Sequence, residues 1–299
     1  MATLAQMVDE VSLKLAGFTL RQDRQTHLTA PVTVSSTELS VANATNISSG
    51  IIEIGDELIY VDSFDRLNKK LNVPPYGRAY SGTTATSHPA GKKVTIAPTF
   101  PRTSIKQAIN DTINSVFPSL YSVSSTVFKY KPAQTTYPLP ANAEKVLSVA
   151  YESTGPSKQW RPVRGWRVDP MANIDAFNST NSISILSGVE PGRNIQVTYT
   201  VEPSIMLSDN GDFSLTTGLP ESSKDVIVLG AAYRLASFVD PGRLTFGSAE
   251  SDQQSQIAGR AYGAGTNAAK YLLALYNQRL MDESRKLTEK FPTRIHFTN

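Results

Sequence analysis

Apolar and polar positions change their period four times along the chain. Leu4, Met7, Val8, Val11 and Leu15 recur at helical spacing, which predicts a helix over residues 1–20. Thr3 with Gln6 fits a capping box at its start, and Gly17 fits its stop. From 28 to 97 the pattern becomes that of short strands. Ile52 and Ile54, then Leu58 and Tyr60, flank a Gly55-Asp56 turn, and Lys93 to Ala97 is a further strand. Helical spacing returns over 103–117 with Ile105, Ala108, Ile109, Ile113 and Val116, where Ser104 with Gln107 suggests a second capping box and Pro118 a stop. Residues 120–207 revert to strands, with Ile195, Val197, Tyr199 and Val201 in strict alternation. A helix is predicted from Pro220 to Val239, and a longer one from about Glu250 to Glu289, ended by Phe291-Pro292.

An isolated amphipathic helix is only marginally stable, so these helices need one another. The expected fold class is therefore α+β, a discontinuous helical bundle with two inserted antiparallel β modules. The bundle would combine 1–27, 102–118 and 219–290. The modules would be 28–101 and 119–218, and 291–299 an extended C-terminal tail.

Composition sharpens this picture. Of 299 residues, 32 are Ser and 28 are Thr, which favours strands and turns. The net charge of +3 lacks the strong excess of a dedicated nucleic-acid binder. No cysteine is present, which excludes disulfides, thiol nucleophiles and Cys-based metal sites. His27, His88 and His296 are far apart and not in metal-ligand spacing, so no metal or other cofactor is expected. The first residues lack a basic signal-peptide region, and the longest apolar run, Val226 to Tyr233, is far short of the roughly 20 residues that span a bilayer. The expectation is a protein made in a cytoplasm, without a membrane partner.

Candidate chemistry is sparse. The run GAGTNAAK (263–270) has glycines in a helical context with no preceding strand, and reads as a thinned helix rather than a phosphate loop. Asp56, Glu57, Asp62 and Asp65 cluster in one hairpin and read as turn and edge residues. His88 reads as a loop histidine. Trp160, Arg161, Arg164, Trp166 and Arg167 mix aromatics with cations, which suits either a cross-strand Trp pair or stacking on bases and phosphates. No catalytic residue and no enzymatic activity is expected, since no nucleophile or paired-carboxylate cleft can be named.

Two stretches carry a resemblance. YLLALYNQRLMDESRKLTEKFPTRIHF resembles the closing helix and tail of head-to-tail adaptor (neck, connector) proteins of tailed bacteriophages. GDELIYVDSFD…GRAYSGTTATSHPAGKKV is similar to a small β module that recurs in phage neck and tail proteins. The resemblance implies a structural virion protein at the head–tail interface. It would form a ring, a dodecamer by the family's habit, beneath the portal protein, with a stopper or tail terminator on its other side and packaged double-stranded DNA passing through. The family's C-terminal segment docks into the portal; the matching positions here are Phe291, Pro292, Arg294, Ile295, His296 and Phe297. The alternative is a tail-tip or baseplate protein touching the host surface through its β modules, which a long terminal helix does not favour.

Overall fold

In a computed structural model, the described residues are 2–16, 24–45, 47–154, 159–172, 180–186, 188–238 and 264–292. Helices and antiparallel sheets are both present, so the α+β class holds. The chain divides into two compact units, and each combines one β module with helical segments.

The first unit comprises residues 4–112 and 227–276. Helix α1 (Leu4–Leu15) buries the predicted stripe of Leu4, Met7, Val8, Val11 and Leu15. The first β module follows, with strands β1 (Arg24–His27), β2 (Glu38–Ser40), β3 (Gly50–Ile54), β4 (Glu57–Val61), β5 (Ser63–Asp65), β6 (Lys70–Asn72) and β7 (Lys93–Ile96). They form a four-stranded sheet in the order β1-β7-β3-β4 and a three-stranded sheet in the order β2-β6-β5. The core lies among Leu39, Ile47, Ile52, Ile54, Ile59 and Leu71, all at most 2% exposed. The module starts at Arg24, four residues before the expected boundary, because β1 pairs with β7.

Helix α2 (Arg102–Ser115) begins two residues before Ser104, so Ser104 lies inside the helix and cannot cap it. The buried carboxylate of Glu53 accepts the Arg102 N–H instead. Arg102 also donates to Asp9 of α1 at 2.9 Å. Helix α4 (Lys224–Phe238) buries Ile227, Val228, Ala231 and Ala232. A Cβ on its Gly230 would stand 2.5 Å from Thr112 Cγ2 of α2 and 2.9 Å from a ring carbon of Tyr276 in α5 (Ala264–Lys290). At Gly230 the helices therefore pack too closely to leave room for a Cβ.

The second unit comprises residues 1–3, 113–226 and 277–299. Its β module has strands β8 (Ser122–Lys129), β9 (Thr136–Pro138), β10 (Lys145–Glu152), β11 (Trp160–Pro162), β12 (Trp166–Asp169), β13 (Ser182–Ile185) and β14 (Asn194–Val201). The sheets are β11-β10-β14-β8 and β12-β13-β9, again four and three strands. Tyr137, Val149, Ile183, Ile195, Val197 and Tyr199 are central to the second core. The expected alternation in β14 is observed, with Ile195, Val197 and Tyr199 buried. A short helix, α3 (Phe213–Thr217), lies in the stretch read as β; Asp212 caps it by accepting the Leu215 N–H at 2.9 Å, and Gly218 ends it at φ 72°. The predicted helix start at Pro220 is a 3-10 turn, Glu221–Ser223, that leads into α4.

Candidate functional site

The most elaborate polar constellation lies in the first β module, around Glu57. The tight Gly55-Asp56 turn sets the register of β3 on β4 and pairs Ile54 with Glu57. That register buries the Glu57 side chain completely. Five donors converge on its carboxylate. Arg78 Nε donates to Oε1 at 2.7 Å and Nη2 to Oε2 at 2.9 Å, a bidentate fork. The backbone N–H of Ala79 donates to Oε1 at 3.2 Å, and that of Thr86 to Oε2 at 3.1 Å. His88 Nε2–H donates to Oε2 at 2.8 Å. Burial alone would raise the Glu57 pKa, but the Arg78 fork and the other donors outweigh it and hold it down at about 2.

Arg78 spends its remaining donors on main chain, with Nη1 to the Thr33 carbonyl and Nη2 to the Thr86 carbonyl at 2.8 Å. His88 exchanges two backbone hydrogen bonds with Val32, at 2.8 and 2.9 Å. The network thus ties the β3–β4 hairpin, the 33–36 turn and the loop 74–92 into one piece. Ala79 and Ser81 adopt positive φ, at 53° and 56°, a cost that a fixed loop must offset. Gly77 is required sterically, since a Cβ there would lie 2.5 Å from the Tyr60 carbonyl oxygen. With every carboxylate lone pair engaged and no solvent contact, this network orders a loop and offers no open position to a substrate.

The ordered loop presents aromatic side chains. Tyr60 stacks on Tyr76 with ring centroids 6.3 Å apart and on Tyr80 at 5.8 Å. Tyr76 is 71% exposed and Tyr80 38%.

Glu53, on the same hairpin, is buried with a different outcome. Burial raises its pKa, and the Arg102 N–H and nearby cations only partly counter this. Asp56 pairs with Lys106 and lies 3.5 Å from Arg102. Asp65 accepts the Leu67 and Asn68 N–H groups in a local turn, as read from the sequence. The acidic hairpin is thus half as expected: Asp56 and Asp65 are turn residues, whereas Glu57 is a buried hub and His88 one of its donors. Nothing in the spacing of Glu57, Arg78 and His88 signals that they meet, since Arg78 and His88 lie 21 and 31 positions from Glu57 and only the fold brings them together.

In the second unit, Trp160 and Trp166 belong to different sheets, which replaces the expected cross-strand Trp pair. Trp160 is 45% exposed at the sheet edge, while Trp166 packs on the module core. Arg161, Arg164 and Arg167 are all exposed.

Helix α5 is anchored near its end. Glu283, 3% exposed, accepts from Ser222 at 2.6 Å and from Lys286 at 2.7 Å. Leu287 is buried, and Thr288 bonds to the Tyr121 hydroxyl. Phe291 closes the helix by donating its N–H to the Leu287 carbonyl at 2.9 Å, and its ring lies 5.3 Å from the Lys290 ammonium. Phe291 is half-buried and Pro292 exposed. Arg294, Ile295, His296 and Phe297 lie outside the described residues.

No family model matches the chain, and no curated protein matches it either. Among the described residues, no group of three His, Asp or Glu side chains is placed to hold a metal, and no helix is long and apolar enough to cross a membrane. His27 stands exposed on β1 opposite Lys93. Residues 264–270 are helical, and Gly263 lies outside the described residues.

Proposed function

We propose that this chain is a structural head-to-tail adaptor of a tailed-phage virion. It forms a ring beneath the portal protein, meets a stopper or tail terminator on the opposite side, and lets double-stranded DNA pass. The observation that carries the reading is the end of α5. The last turns of a 27-residue helix are held to the second unit by Glu283, Leu287 and Thr288, and Phe291 and Pro292 follow them. A rigid base with an apolar, basic segment beyond it suits docking into a neighbouring protein's groove. Phe291, Pro292, Arg294, Ile295, His296 and Phe297 are the proposed portal contacts. Each large side chain buried there contributes roughly 1.5–3 kcal/mol before ordering costs. Repetition around a ring multiplies the contact by avidity.

The finer architecture belongs to the same proposal. Helices α1, α2, α4 and α5 form the discontinuous bundle of the adaptor body, with both β modules as excursions. The Asp9–Arg102 ion pair and the close approach of Thr112 and Tyr276 at Gly230 support it. The protein would act as a scaffold with no catalytic step and no cofactor, located in the virion neck after assembly in the host cytoplasm.

Deleting residues 291–299 tests the docking: filled heads should lose the protein. Wild-type incorporation of the truncated chain would sink this reading. A second reading, a tail-tip protein, is favoured by one observation, the exposed Tyr76 and Tyr80 rings stacked on half-buried Tyr60. Labelling the protein in virions and imaging them by electron microscopy separates neck from tip.

A further inference from the structure

An open sheet edge offers backbone N–H and C=O groups to any extended chain, so folds blunt their edges with short strands, charge, proline or a covering loop. Most edges in this chain follow that rule. Strands β2, β5, β9 and β11 have three residues each, and β9 and β11 end in proline. Strand β12 has four residues, two of them charged. On β1 the His27 carbonyl accepts the Ala42 N–H at 2.9 Å, and on β4 the Tyr60 N–H donates to the Gly77 carbonyl at 2.7 Å. Strand β8 departs from the rule. It is the outer strand of its sheet, has eight residues, and carries no proline and no charge before Lys129.

Register fixes which of its backbone groups are free. Tyr130, next after β8, donates its N–H to the Arg193 carbonyl at 2.8 Å. In an antiparallel ladder every second residue turns its N–H and C=O to the partner strand. The pairing of β8 with β14 runs without a shift from Lys129 opposite Asn194 to Ser122 opposite Val201, so Ser122, Ser124, Thr126 and Phe128 bond inward. Val123, Ser125, Val127 and Lys129 turn their groups outward, and among the described residues these have no partner. Val127 is 53% exposed, and Ser125 and Lys129 are exposed as well.

The same unit brings a further stretch of chain to this edge. Tyr121, immediately before β8, bonds through its hydroxyl to Thr288 near the end of α5. The Phe291 N–H closes that helix on the Leu287 carbonyl, and Pro292 follows. Extended, residues 293–299 reach about 23 Å, against about 20 Å from Val123 to Lys129. Their sequence, TRIHFTN, alternates, with Thr293, Ile295 and Phe297 on one side and Arg294, His296 and Thr298 on the other. Strand β8 alternates in the same sense. Thr126 and Phe128 stand opposite the buried Val197 and Ile195, whereas Ser125 and Val127 lie on the other face. Phe128 is only half-buried, with its ring centroid 4.3 Å from that of Tyr137. We propose that in the free chain residues 293–299 add to the open edge of β8 as a parallel strand, with Ile295 and Phe297 beside Thr126 and Phe128 and with Arg294 and His296 on the outer face. Pro292 at the entry lacks only an N–H that the ladder does not use. The added strand is a property of the free chain and does not rest on the adaptor reading; within that reading, docking exchanges β8 for the portal's groove.

The test is hydrogen exchange of the isolated full chain, resolved to single amides. The Val123, Ser125, Val127 and Lys129 N–H groups should exchange at least about tenfold more slowly in the full chain than in one cut after Pro292, while Ser124, Thr126 and Phe128 stay protected in both. Ile295→Pro in the full chain removes an N–H that the added strand turns towards β8, and should match the truncation. Circular dichroism checks that both variants fold. Protection should be unchanged on about tenfold dilution, because the strand comes from the same molecule. Equal exchange in the full and shortened chains would overturn the proposal. Protection that fades on dilution would overturn it too, and would assign the edge to a second copy. If filled heads lose the shortened protein while β8 exchanges alike in both chains, the added strand fails and the docking reading stands. If β8 is protected as expected but shortened chains still join heads, the docking reading fails instead.

Discussion

Glu57 shows how one side chain organises some thirty residues. Removing Arg78 leaves a buried carboxylate without its strongest partner, so Arg78→Ala should destabilise the first module by about 3–5 kcal/mol, read as a lower urea midpoint. The acid dependence follows from linkage. Glu57 is held at about 2, below its ordinary 4.5, so the unfolded chain binds the proton first. Its contribution, about 3 kcal/mol from this shift, is full above pH 4.5 and is lost as pH falls towards 2. Urea midpoints at pH 7, 4 and 3 should show this loss in the wild type and not in Glu57→Gln. An unchanged acid profile in that variant would show that other carboxylates dominate. Glu53, whose pKa is raised, contributes a slope of opposite sign, so Glu53→Gln should steepen the acid loss.

At the scale of elements, spacing alone makes firm statements about some pieces and none about others. The α1 stripe, the β3–β4 turn and the β14 alternation are local patterns, and they are seen in the fold as read. The start of α2 was read at Ser104, but the helix begins at Arg102 because a carboxylate far away in sequence supplies the cap. Helix α3 has only five residues, too few for a hydrophobic period, and its legible signals were Asp212 and Gly218 at cap spacing. The Glu57 network was illegible for a similar reason: its members are 21 and 31 positions apart and meet only through strand register. Asp212→Ala removes the one side-chain cap of α3 and should cost about 1 kcal/mol, measured by thermal melting. Gly230→Ala should cost more, since α2 and α5 must both yield to a Cβ.

For the whole molecule, the two β cores draw on separate stretches of sequence and belong to different compact units. One draws on residues 28–96 and the other on 137–199. Local damage should therefore remain local. Hydrogen exchange on Glu57→Gln should show lost protection in β3, β4 and β7, with β10 and β14 near wild-type rates. Equal loss in both modules would mean that the units open as one cooperative body.

The second unit is closed by residues far apart in the chain. The Ala2 N–H donates to Glu221 Oε1 at 2.9 Å across 219 positions, and the Ala2 carbonyl accepts the Phe213 N–H at 2.8 Å. On a ribosome that adds roughly 5–20 residues each second, Ala2 waits roughly 10–40 s for Glu221 to be made. The first β module, continuous in sequence, has all its strands long before that. Vectorial synthesis therefore gives the protein a schedule: local sheets form early, and the closing contacts of the second unit come late. A bulky group fused ahead of Ala2 would have to be accommodated at that last step, and its effect would show as slow maturation rather than as a misfolded first module.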